Sequence, residues 1–519
     1  MKMNLNLKNQ KEIIFIIIFS SILVSYYINF NMNLGLYCTD VYVYLQNALY
    51  FTGTNIHSAY NIYLSPIICF LTSLLFRLGL VDRLAICIVT GILAIIGNIG
   101  MYLLLKTRFN NLLSLTGTII YSTFALNLTW LANGSLDVAA TGISIWIILF
   151  TIKAMKNPKY YQGVFVLFVI GFFTRYTVGM VLPVMILCYL YNNSFKIKKE
   201  DSKYIKIGLV LGILTSIIIL VPIYRMSYGH LGFTGQLVGG ASGTLGTLTD
   251  PAYNTDITYY LFNFANFISS SSTVFIKQTP ALKNPTILSG LIILILAIGG
   301  ISWARKYDFK YDLEKIIGII LFLIALVTFN HFTPFITIIL VFIGLFLIGK
   351  NSKNKNGLLM MGWILANFIF FSYCIIKVNR YIIPVFPAFT YLLMASVEQI
   401  NEKINRKNIL PIILIVLFII QGFAFTLTFE DTNQFKGPEE MSNYIKSNND
   451  NWTSLKIGVY NVRPFFWYLG DNVTGITGGN VKLIENSTID YYISHKPLNL
   501  TNFTEIKDIY GVYLYKRII

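Results

Sequence analysis

Long apolar runs alternate with short polar stretches along most of this 519-residue chain. Most of the runs have about 20 residues, the length at which a helix crosses the hydrocarbon core of a bilayer. The candidate segments lie at about 12–30, 63–80, 84–105, 112–130, 137–152, 161–174, 176–191, 205–224, 285–304, 316–329, 334–349, 357–376, 382–398 and 409–427. This pattern predicts a polytopic α-helical membrane protein.

The basic residues predict the orientation of these segments. More than half of the 40 Lys and Arg residues fall in polar stretches that can share one side of the membrane, and by the positive-inside rule this side, with the N-terminus, is cytoplasmic. Three apolar segments lie between Lys11 and Lys106. Because both basic stretches are predicted to be cytoplasmic, the chain between them crosses an even number of times, and only two crossings fit. The weakest, 63–80, contains Pro66 and Arg77 and is predicted to be a juxtamembrane helix. Thirteen transmembrane helices then remain, and the C-terminal tail lies outside the cytoplasm.

Two domains are expected. Residues 1–429 form the membrane module, with a first outer loop at 31–62 and a long outer loop at 225–284 that is rich in Gly, Ser and Thr. Residues 430–519 are predicted to form a small extracytoplasmic C-terminal α/β domain. In that tail a helical stretch, PEEMSNYIKS, precedes the β-like runs LKIGVYN, TIDYYIS and YGVYLYK. The N-terminus is basic and then apolar but lacks a small-x-small cleavage site, so we expect an uncleaved first helix.

Composition narrows the possible functions. Hydrophobic residues make up 55% of the chain and charged residues only 12%. In such a chain the net charge of +17 reflects the basic residues that set membrane topology and attract anionic lipid, rather than nucleic-acid binding. The five Cys residues lie in or beside apolar segments, which excludes a disulfide framework and a zinc cluster. No cofactor or metal site is predicted.

Two acids stand at predicted outer ends of membrane segments. Asp40 lies in the first outer loop, in GLYCTDVYVYLQNALYFTGTN, among aromatic residues that include Tyr44. A carboxylate there could take a proton from an acceptor hydroxyl, although the loop alone favours a helix N-cap. Asp137 follows Asn133-Gly134-Ser135-Leu136 and opens a helix, where capping is an equal alternative.

Several cations are predicted at the same membrane face. Arg175 lies at the outer break between segments 161–174 and 176–191, and Lys377 and Arg380 flank another outer helix end in IIKVNRYIIPVFPAF. Any one of them could simply extend to lipid headgroups. Together, two acids and several cations suit a reaction on a lipid-linked phosphate, because Arg and Lys bind phosphate oxygens and a carboxylate can deprotonate an acceptor.

The order of these pieces resembles the C-type membrane glycosyltransferases that use polyprenyl-phosphate sugars, such as protein O-mannosyltransferases and lipid A aminoarabinose transferases. The matching pieces are Tyr37-Cys38-Thr39-Asp40, Ser65-Pro66 with Phe76-Arg77-Leu78-Gly79, Leu136-Asp137, Gly171-Phe172-Phe173-Thr174-Arg175-Tyr176, Asn379-Arg380-Tyr381-Ile382-Ile383-Pro384 with Pro387, and Arg463-Pro464-Phe465-Phe466-Trp467-Tyr468-Leu469-Gly470. The pattern spans nearly the whole chain, and the order of the pieces carries the resemblance.

The resemblance implies roles for these residues. Asp40 would be the catalytic base, with Asp137 and Tyr44 supporting the acceptor and base site. Arg175, Lys377 and Arg380 would bind the donor phosphate. Many members of the family have Asp-Glu in the first loop, whereas Val41 follows Asp40 here. That departure fits a metal-independent reaction or a member with altered activity.

The resulting hypothesis is a hexosyl or pentosyl transferase that moves a sugar from a polyprenyl-phosphate (dolichyl-phosphate-type) donor to an extracytoplasmic protein, lipid or glycan, with inversion. A transporter or flippase of lipid-linked saccharides is the alternative, since it shares the hydrophobicity and the intramembrane charges. Against it, the sequence has no visible repeat and the charges gather at one face. An inactive relative that serves as a partner subunit is a third possibility.

Overall fold

The structure is a computed structural model that describes residues 10–53, 66–193, 198–226, 256–270, 287–306, 312–329, 331, 333–350, 355–374, 377–403, 408–431, 433–476 and 480–518. Part of each predicted outer loop lies outside this range. The excluded parts are residues 54–62 of the first loop, and residues 227–255 and 271–284 of the second.

Helices dominate the first 430 residues. In chain order they are α1 (Gln10–Leu34), α2 (Asp40–Phe51), α3 (Pro66–Arg77), α4 (Arg83–Leu105), α5 (Asn111–Ser122), α6 (Ala125–Thr129), α7 (Leu136–Ala154), α8 (Tyr161–Thr174), α9 (Val181–Asn193), α10 (Lys199–Met226), α11 (Tyr259–Ser269), α12 (Ile287–Lys306), α13 (Leu313–Val327), α14 (Pro334–Gly349), α15 (Lys355–Tyr373), α16 (Phe386–Asn401) and α17 (Ile409–Ala424). Short 3₁₀ helices at Tyr176–Met180 and Asn379–Val385 precede α9 and α16.

Seven helices within the described residues are long and apolar enough to cross a membrane: Lys11–Leu34, Arg83–Leu105, Leu136–Ala154, Lys199–Tyr224, Lys355–Tyr373, Asn379–Asn401 and Ile409–Thr428. Four shorter apolar helices accompany them, including Pro66–Arg77 and Tyr176–Tyr191. The polytopic helical fold is therefore confirmed, whereas the predicted number of thirteen crossings is not. The predicted segment 112–130, for example, is divided between α5 and α6.

Close glycine contacts hold α7 against α4. A Cβ atom built on Gly97 would lie 2.8 Å from the Cα atom of Gly142. Small residues allow this approach between helices in a bilayer, where packing rather than the hydrophobic effect drives association. The pair positions the beginning of α7, where one of the predicted acids lies.

A five-stranded mixed sheet follows the helices. Its strands are β1 (Ile457–Val459), β2 (Val473–Gly475), β3 (Tyr491–Ser494), β4 (Phe503–Ile509) and β5 (Val512–Arg517), in the order β2-β1-β3-β5-β4. Strand β1 is parallel to β2 and β3, and β5 is antiparallel to β3 and β4. Helices α18 (Gly437–Asn448), α19 (Val462–Leu469) and α20 (Val481–Glu485) complete this part. We call the described residues 433–476 and 480–518 the C-terminal region. Its five strands confirm that the tail contains a small sheet.

The C-terminal region is docked on the end of the bundle where α1 finishes. The backbone N–H of Phe435 donates to the carbonyl of Leu34 over 2.9 Å, and a Cβ atom on Gly35 would lie only 2.3 Å from the carbonyl carbon of Phe435. Gly35 has φ +88°, which only glycine adopts readily. An ion pair of 2.7 Å joins the buried Arg83 to the partly exposed Glu439. These contacts fix the C-terminal region over α2.

Candidate active site

Two carboxylates and three guanidinium groups meet at the end of the bundle that faces the C-terminal region. Each residue stands at the end of a helix, where the chain enters or leaves the bundle: Asp40 opens α2, Asp137 lies in the first turn of α7, Arg175 follows α8, Arg380 lies in the 3₁₀ helix before α16, and Arg463 lies in the first turn of α19. The structure thus brings together four residues that the sequence analysis selected and a fifth whose role it did not recognise.

Asp40 is an ion-pair partner rather than a helix cap. The N-cap of α2 is Thr39, and no side-chain cap hydrogen bond forms there. The Asp40 carboxylate instead accepts from Arg380 at Oδ2 over 3.0 Å and from Arg463 at Oδ1 over 2.7 Å. Burial raises the pKa of Asp40, but the guanidinium groups of Arg380 and Arg463 outweigh this effect and hold the pKa below its ordinary value. The carboxylate is therefore ionised at neutral pH.

Asp137 is more deeply buried, with 1% of its side chain exposed. The N-cap of α7 is Ser135, so the capping alternative for Asp137 is wrong. The Asp137 carboxylate accepts from the Ser135 hydroxyl over 2.6 Å and from Nη1 of Arg175 over 3.0 Å, and Nε of Arg380 lies 4.0 Å away. A buried carboxylate requires such partners, because its desolvation is otherwise costly.

A tight turn before α7 sets the position of this acid relative to α2. Gly134 has φ +83°, and a Cβ atom there would lie 2.5 Å from a methyl carbon of Val41. Asn133 donates from its side-chain amide to the hydroxyl of Tyr37 and accepts from the N–H of Ser135 over 2.9 Å. The Asn-Gly-Ser sequence thus locks the beginning of α7 onto the loop before α2.

Arg380 is the centre of the cluster. Besides pairing with Asp40, its Nη1 donates to the Cys38 thiol over 2.8 Å, and its guanidinium lies 5.1 Å from the ring centroid of Trp130. Tyr381 contributes a second ring, 5.9 Å from Arg380 and 5.4 Å from Arg175. The planar, delocalised guanidinium is suited to binding carboxylates and aromatic faces together, which a lysine ammonium is not.

The remaining two predicted site residues have different surroundings. Tyr44 lies one helical turn after Asp40, is buried, and has its pKa raised by that burial and by the nearby carboxylate. Lys377 is also buried, and its ammonium donates to the carbonyl of Cys374 over 2.7 Å. Burial lowers the pKa of Lys377, while the Cys374 thiol and Asp256 act in the opposite direction. Lys377 thus contacts a backbone carbonyl, whereas Arg175 and Arg380 contact the carboxylates of Asp137 and Asp40.

Sequence reasoning missed Arg463 and Cys38 as members of the site. Both lie in motifs quoted for the resemblance, but nothing local marks their partners. Arg463 is 423 positions from Asp40 along the chain, and Cys38 is 342 positions from Arg380. Only an alignment of relatives or a tertiary structure could reveal such pairs.

The result is a chain of alternating charges that runs from Arg463 through Asp40, Arg380 and Asp137 to Arg175. It carries one more positive than negative charge, so an added phosphate oxygen would meet a favourable field. The Asp40 carboxylate in this chain is an ionised acceptor and can receive a proton. Within the described ranges, no group of three or more His, Cys, Asp or Glu side chains is arranged to hold a metal ion.

Comparison with known proteins supports a specific fold. Residues 64–224 match the model of the dolichyl-phosphate-mannose-protein mannosyltransferase family. ArnT from Cupriavidus metallidurans bound to undecaprenyl phosphate is similar over 97% of this chain and 98% of its own, with 12% identity and a TM-score of 0.59. Its apo state gives 10% identity and a TM-score of 0.55 over the same shares.

The Archaeoglobus fulgidus oligosaccharyltransferase in complex with Zn and sulfate is a more distant match, covering 92% of this chain and 67% of its own with 10% identity and a TM-score of 0.49. No curated protein sequence matches significantly. The family match and the shared fold with ArnT confirm the resemblance to C-type membrane glycosyltransferases. Together with the apolar helices, they identify the chain as a membrane protein.

Proposed function

We propose that this protein is an integral-membrane glycosyltransferase that transfers one sugar from a polyprenyl-phosphate donor to an acceptor outside the cytoplasm. The observation that carries the proposal is the alternating charge chain, in which ionised Asp40 lies within 3.0 Å of Arg380 and Asp137 lies within 3.0 Å of Arg175. The match of residues 64–224 to a dolichyl-phosphate-mannose-dependent family supports the donor class. So does the shared fold with ArnT, which was solved with undecaprenyl phosphate bound.

Asp40 is the proposed base. The acceptor hydroxyl loses its proton to the Asp40 carboxylate as its oxygen bonds to the anomeric carbon, and the bond from that carbon to the phosphate oxygen breaks. The attack comes from the side opposite the phosphate, so the anomeric configuration inverts. Asp137 and Tyr44 support this site. In particular, Asp137 holds Arg175, and through Arg380 it stands next to the base.

The cations act on the leaving group. When the carbon–oxygen bond breaks, the phosphodiester becomes a phosphomonoester and gains negative charge. Arg175 and Arg380, fixed by their carboxylate and aromatic contacts, supply preorganised donors for that charge, and Lys377 adds a third cation from the same helix end as Arg380. Such fixed donors require no reorganisation at the moment of reaction.

The proposed arrangement in the membrane follows the distribution of charge. The N-terminus is cytoplasmic, thirteen helices cross, and residues 430–519 form an extracytoplasmic domain above the membrane module of residues 1–429. Every member of the charge chain stands at a helix end, and one of them, Arg463, belongs to the C-terminal region and pairs with Asp40. That placement supports a transferase over a flippase of lipid-linked saccharides, for which polar sites at the bilayer midplane are expected.

The test compares purified wild type with Asp40→Asn on radiolabelled polyprenyl phosphates carrying mannose, glucose, galactose or aminoarabinose, with envelope extract as the acceptor. Wild type should release free polyprenyl phosphate from at least one donor, and folded Asp40→Asn should not. Equal release by both proteins would remove Asp40 as the base. Absence of release from every donor, together with translocation of a labelled lipid-linked sugar in vesicles, would replace the transferase with the flippase.

A further inference from the structure

Both oxygens of Asp40 are occupied by ion pairs. Arg380 from the helical bundle holds Oδ2, and Arg463 from the C-terminal region holds Oδ1. A general base must bring one oxygen within hydrogen-bond distance of the acceptor hydroxyl. Each oxygen keeps a second lone pair, but a carboxylate paired with two guanidinium groups is a weak base, so proton transfer to it is favoured when one of the two contacts opens.

Arg380 is firmly held. Only 13% of its side chain is exposed, and the same guanidinium also donates to the Cys38 thiol over 2.8 Å. It lies against the ring of Trp130 and stands 4.0 Å from the Asp137 carboxylate. Removing it from Asp40 would disturb all of these contacts at once.

Arg463 is the more easily displaced partner. Its side chain is 36% exposed, and beyond Asp40 it makes a long 3.4 Å contact with the Thr39 hydroxyl. Ion pairs with this degree of exposure are weak, because water competes for both partners. The backbone of Arg463 is nevertheless fixed: Asn461 caps α19 at the Arg463 N–H, and Tyr468 packs edge-on against Tyr42 of α2. The guanidinium can thus leave the carboxylate while the helix stays docked.

We propose that Arg463 is a displaceable counter-ion that guards the base: it covers Oδ1 of Asp40 until a bound acceptor replaces it. This inference rests on the proposed function and makes Arg463 a positioning residue rather than a catalytic one. The acceptor hydroxyl takes the place of the guanidinium, and its proton moves to Oδ1 as its oxygen bonds to the anomeric carbon. The bond from that carbon to the phosphate oxygen breaks, and its electron pair stays on the leaving phosphate. Water lacks the remote binding contacts that help an acceptor to displace Arg463.

The electrostatic surroundings agree with this role. Burial raises the pKa of Asp40, whereas Arg380, Arg463 and Arg175 lower it. The titratable groups near Asp40 include the Cys38 thiol, the hydroxyls of Tyr44 and Tyr381 and, across Arg380, the Asp137 carboxylate. Withdrawal of Arg463 removes one of the lowering influences, so the carboxylate becomes more basic when the acceptor arrives.

The experiment measures hydrolysis of the donor by water. Wild type, Arg463→Gln and Arg463→Lys are incubated, without acceptor, with whichever labelled polyprenyl-phosphate sugar supports transfer by wild type, and release of free sugar is followed. Arg463→Gln should hydrolyse the donor about tenfold faster than wild type. This is the rate factor that corresponds to the free energy of one charge-assisted hydrogen bond. Arg463→Lys, which keeps the charge without the fork, should fall between them.

Two controls identify the cause. In the double variant Asp40→Asn/Arg463→Gln, the increase in donor hydrolysis should vanish, because it requires the base. Lys436→Gln removes a different ion pair of the same region, 3.2 Å from Glu440, and should hydrolyse like wild type. The acid limb of the pH–rate profile should also move to higher pH in Arg463→Gln, since the pKa of Asp40 rises when a neighbouring cation is lost.

Hydrolysis by folded Arg463→Gln at or below the wild-type rate would overturn the guarding role, and then the residue would serve docking alone. If Arg463→Gln fails to fold, Arg463→Lys decides: a rate no greater than that of wild type contradicts the proposal. Acceptor-dependent transfer by wild type tests the proposed function, whereas the ratio of hydrolysis rates tests the role of Arg463, so the two can fail separately.

Discussion

Replacing Arg380 with lysine should damage catalysis although it keeps the charge. The guanidinium donates to Asp40 over 3.0 Å and to the Cys38 thiol over 2.8 Å, and its third nitrogen lies 4.0 Å from Asp137. A lysine has one nitrogen and cannot serve these three positions together. Loss of one charge-assisted hydrogen bond in a site whose side chains are mostly buried amounts to about 1.5–3 kcal/mol. At about 1.4 kcal/mol per factor of ten, this predicts a loss of about 10- to 100-fold in kcat/KM.

The assay measures initial rates of transfer with saturating acceptor extract and varied donor. Arg108→Lys is the matched control. Arg108 also pairs with one acid, Glu398 at 3.2 Å, and lies 5.1 Å from an aromatic ring, that of Phe109, but it follows the far end of α4. That helix has 23 residues and spans about 34 Å. The control should stay within about twofold of wild type, as expected for a partly exposed pair. An Arg380→Lys rate equally close to wild type would refute the reasoning.

Three further predictions follow from the same geometry. Arg175→Ala should lower kcat much more than it raises the donor KM, because the arginine acts on the charge of the leaving phosphate; the reverse pattern would indicate binding alone. Gly35→Ala should lower Tm and transfer together, since its Cβ would collide with the carbonyl of Phe435. Gly53→Ala is the control: φ is +91° there and no described atom lies within 4 Å of the added Cβ, so it should show the backbone strain only. Asp40→Asn should have a lower Tm than wild type at neutral pH, because the pKa of Asp40 is lower in the folded than in the unfolded protein. The difference in Tm should be complete above the unfolded-state pKa of about 3.9 and disappear as the pH falls through the lower folded-state pKa; thermal unfolding in detergent across pH measures it.

Local patterns predicted most of the helices well. The apolar run at 334–349 corresponds to α14, and the run at 84–105 to α4. The break near Arg175, which was predicted from the basic flanks of both segments, occurs there: α8 ends at Thr174 and Arg175 is extended. Segment 63–80 was predicted not to cross, and in its described part, residues 66–80, the 12 residues of α3 are the only helix. Hydrophobic length and charge are local properties, so the sequence displays them directly.

The site could be predicted only in part, for a physical reason. The acids and arginines at helix ends were visible because charge is costly in hydrocarbon and therefore noticeable in an apolar chain. Their pairing was not visible, since Asp40 meets Arg380 and Arg463 through tertiary contacts. The capping alternative was reasonable for Asp137, yet Ser135, two residues earlier, forms the cap and leaves the carboxylate for Arg175. The β2 and β4 strands also lacked a clear local signal.

The most direct test of the central claim is the anomeric configuration of the transferred sugar. With a donor of known configuration, the isolated product can be examined by NMR through its anomeric proton and carbon. Direct displacement, with Asp40 acting as a base, predicts complete inversion. Retention would contradict the account, because a single attack from the side opposite the phosphate cannot leave the anomeric configuration unchanged.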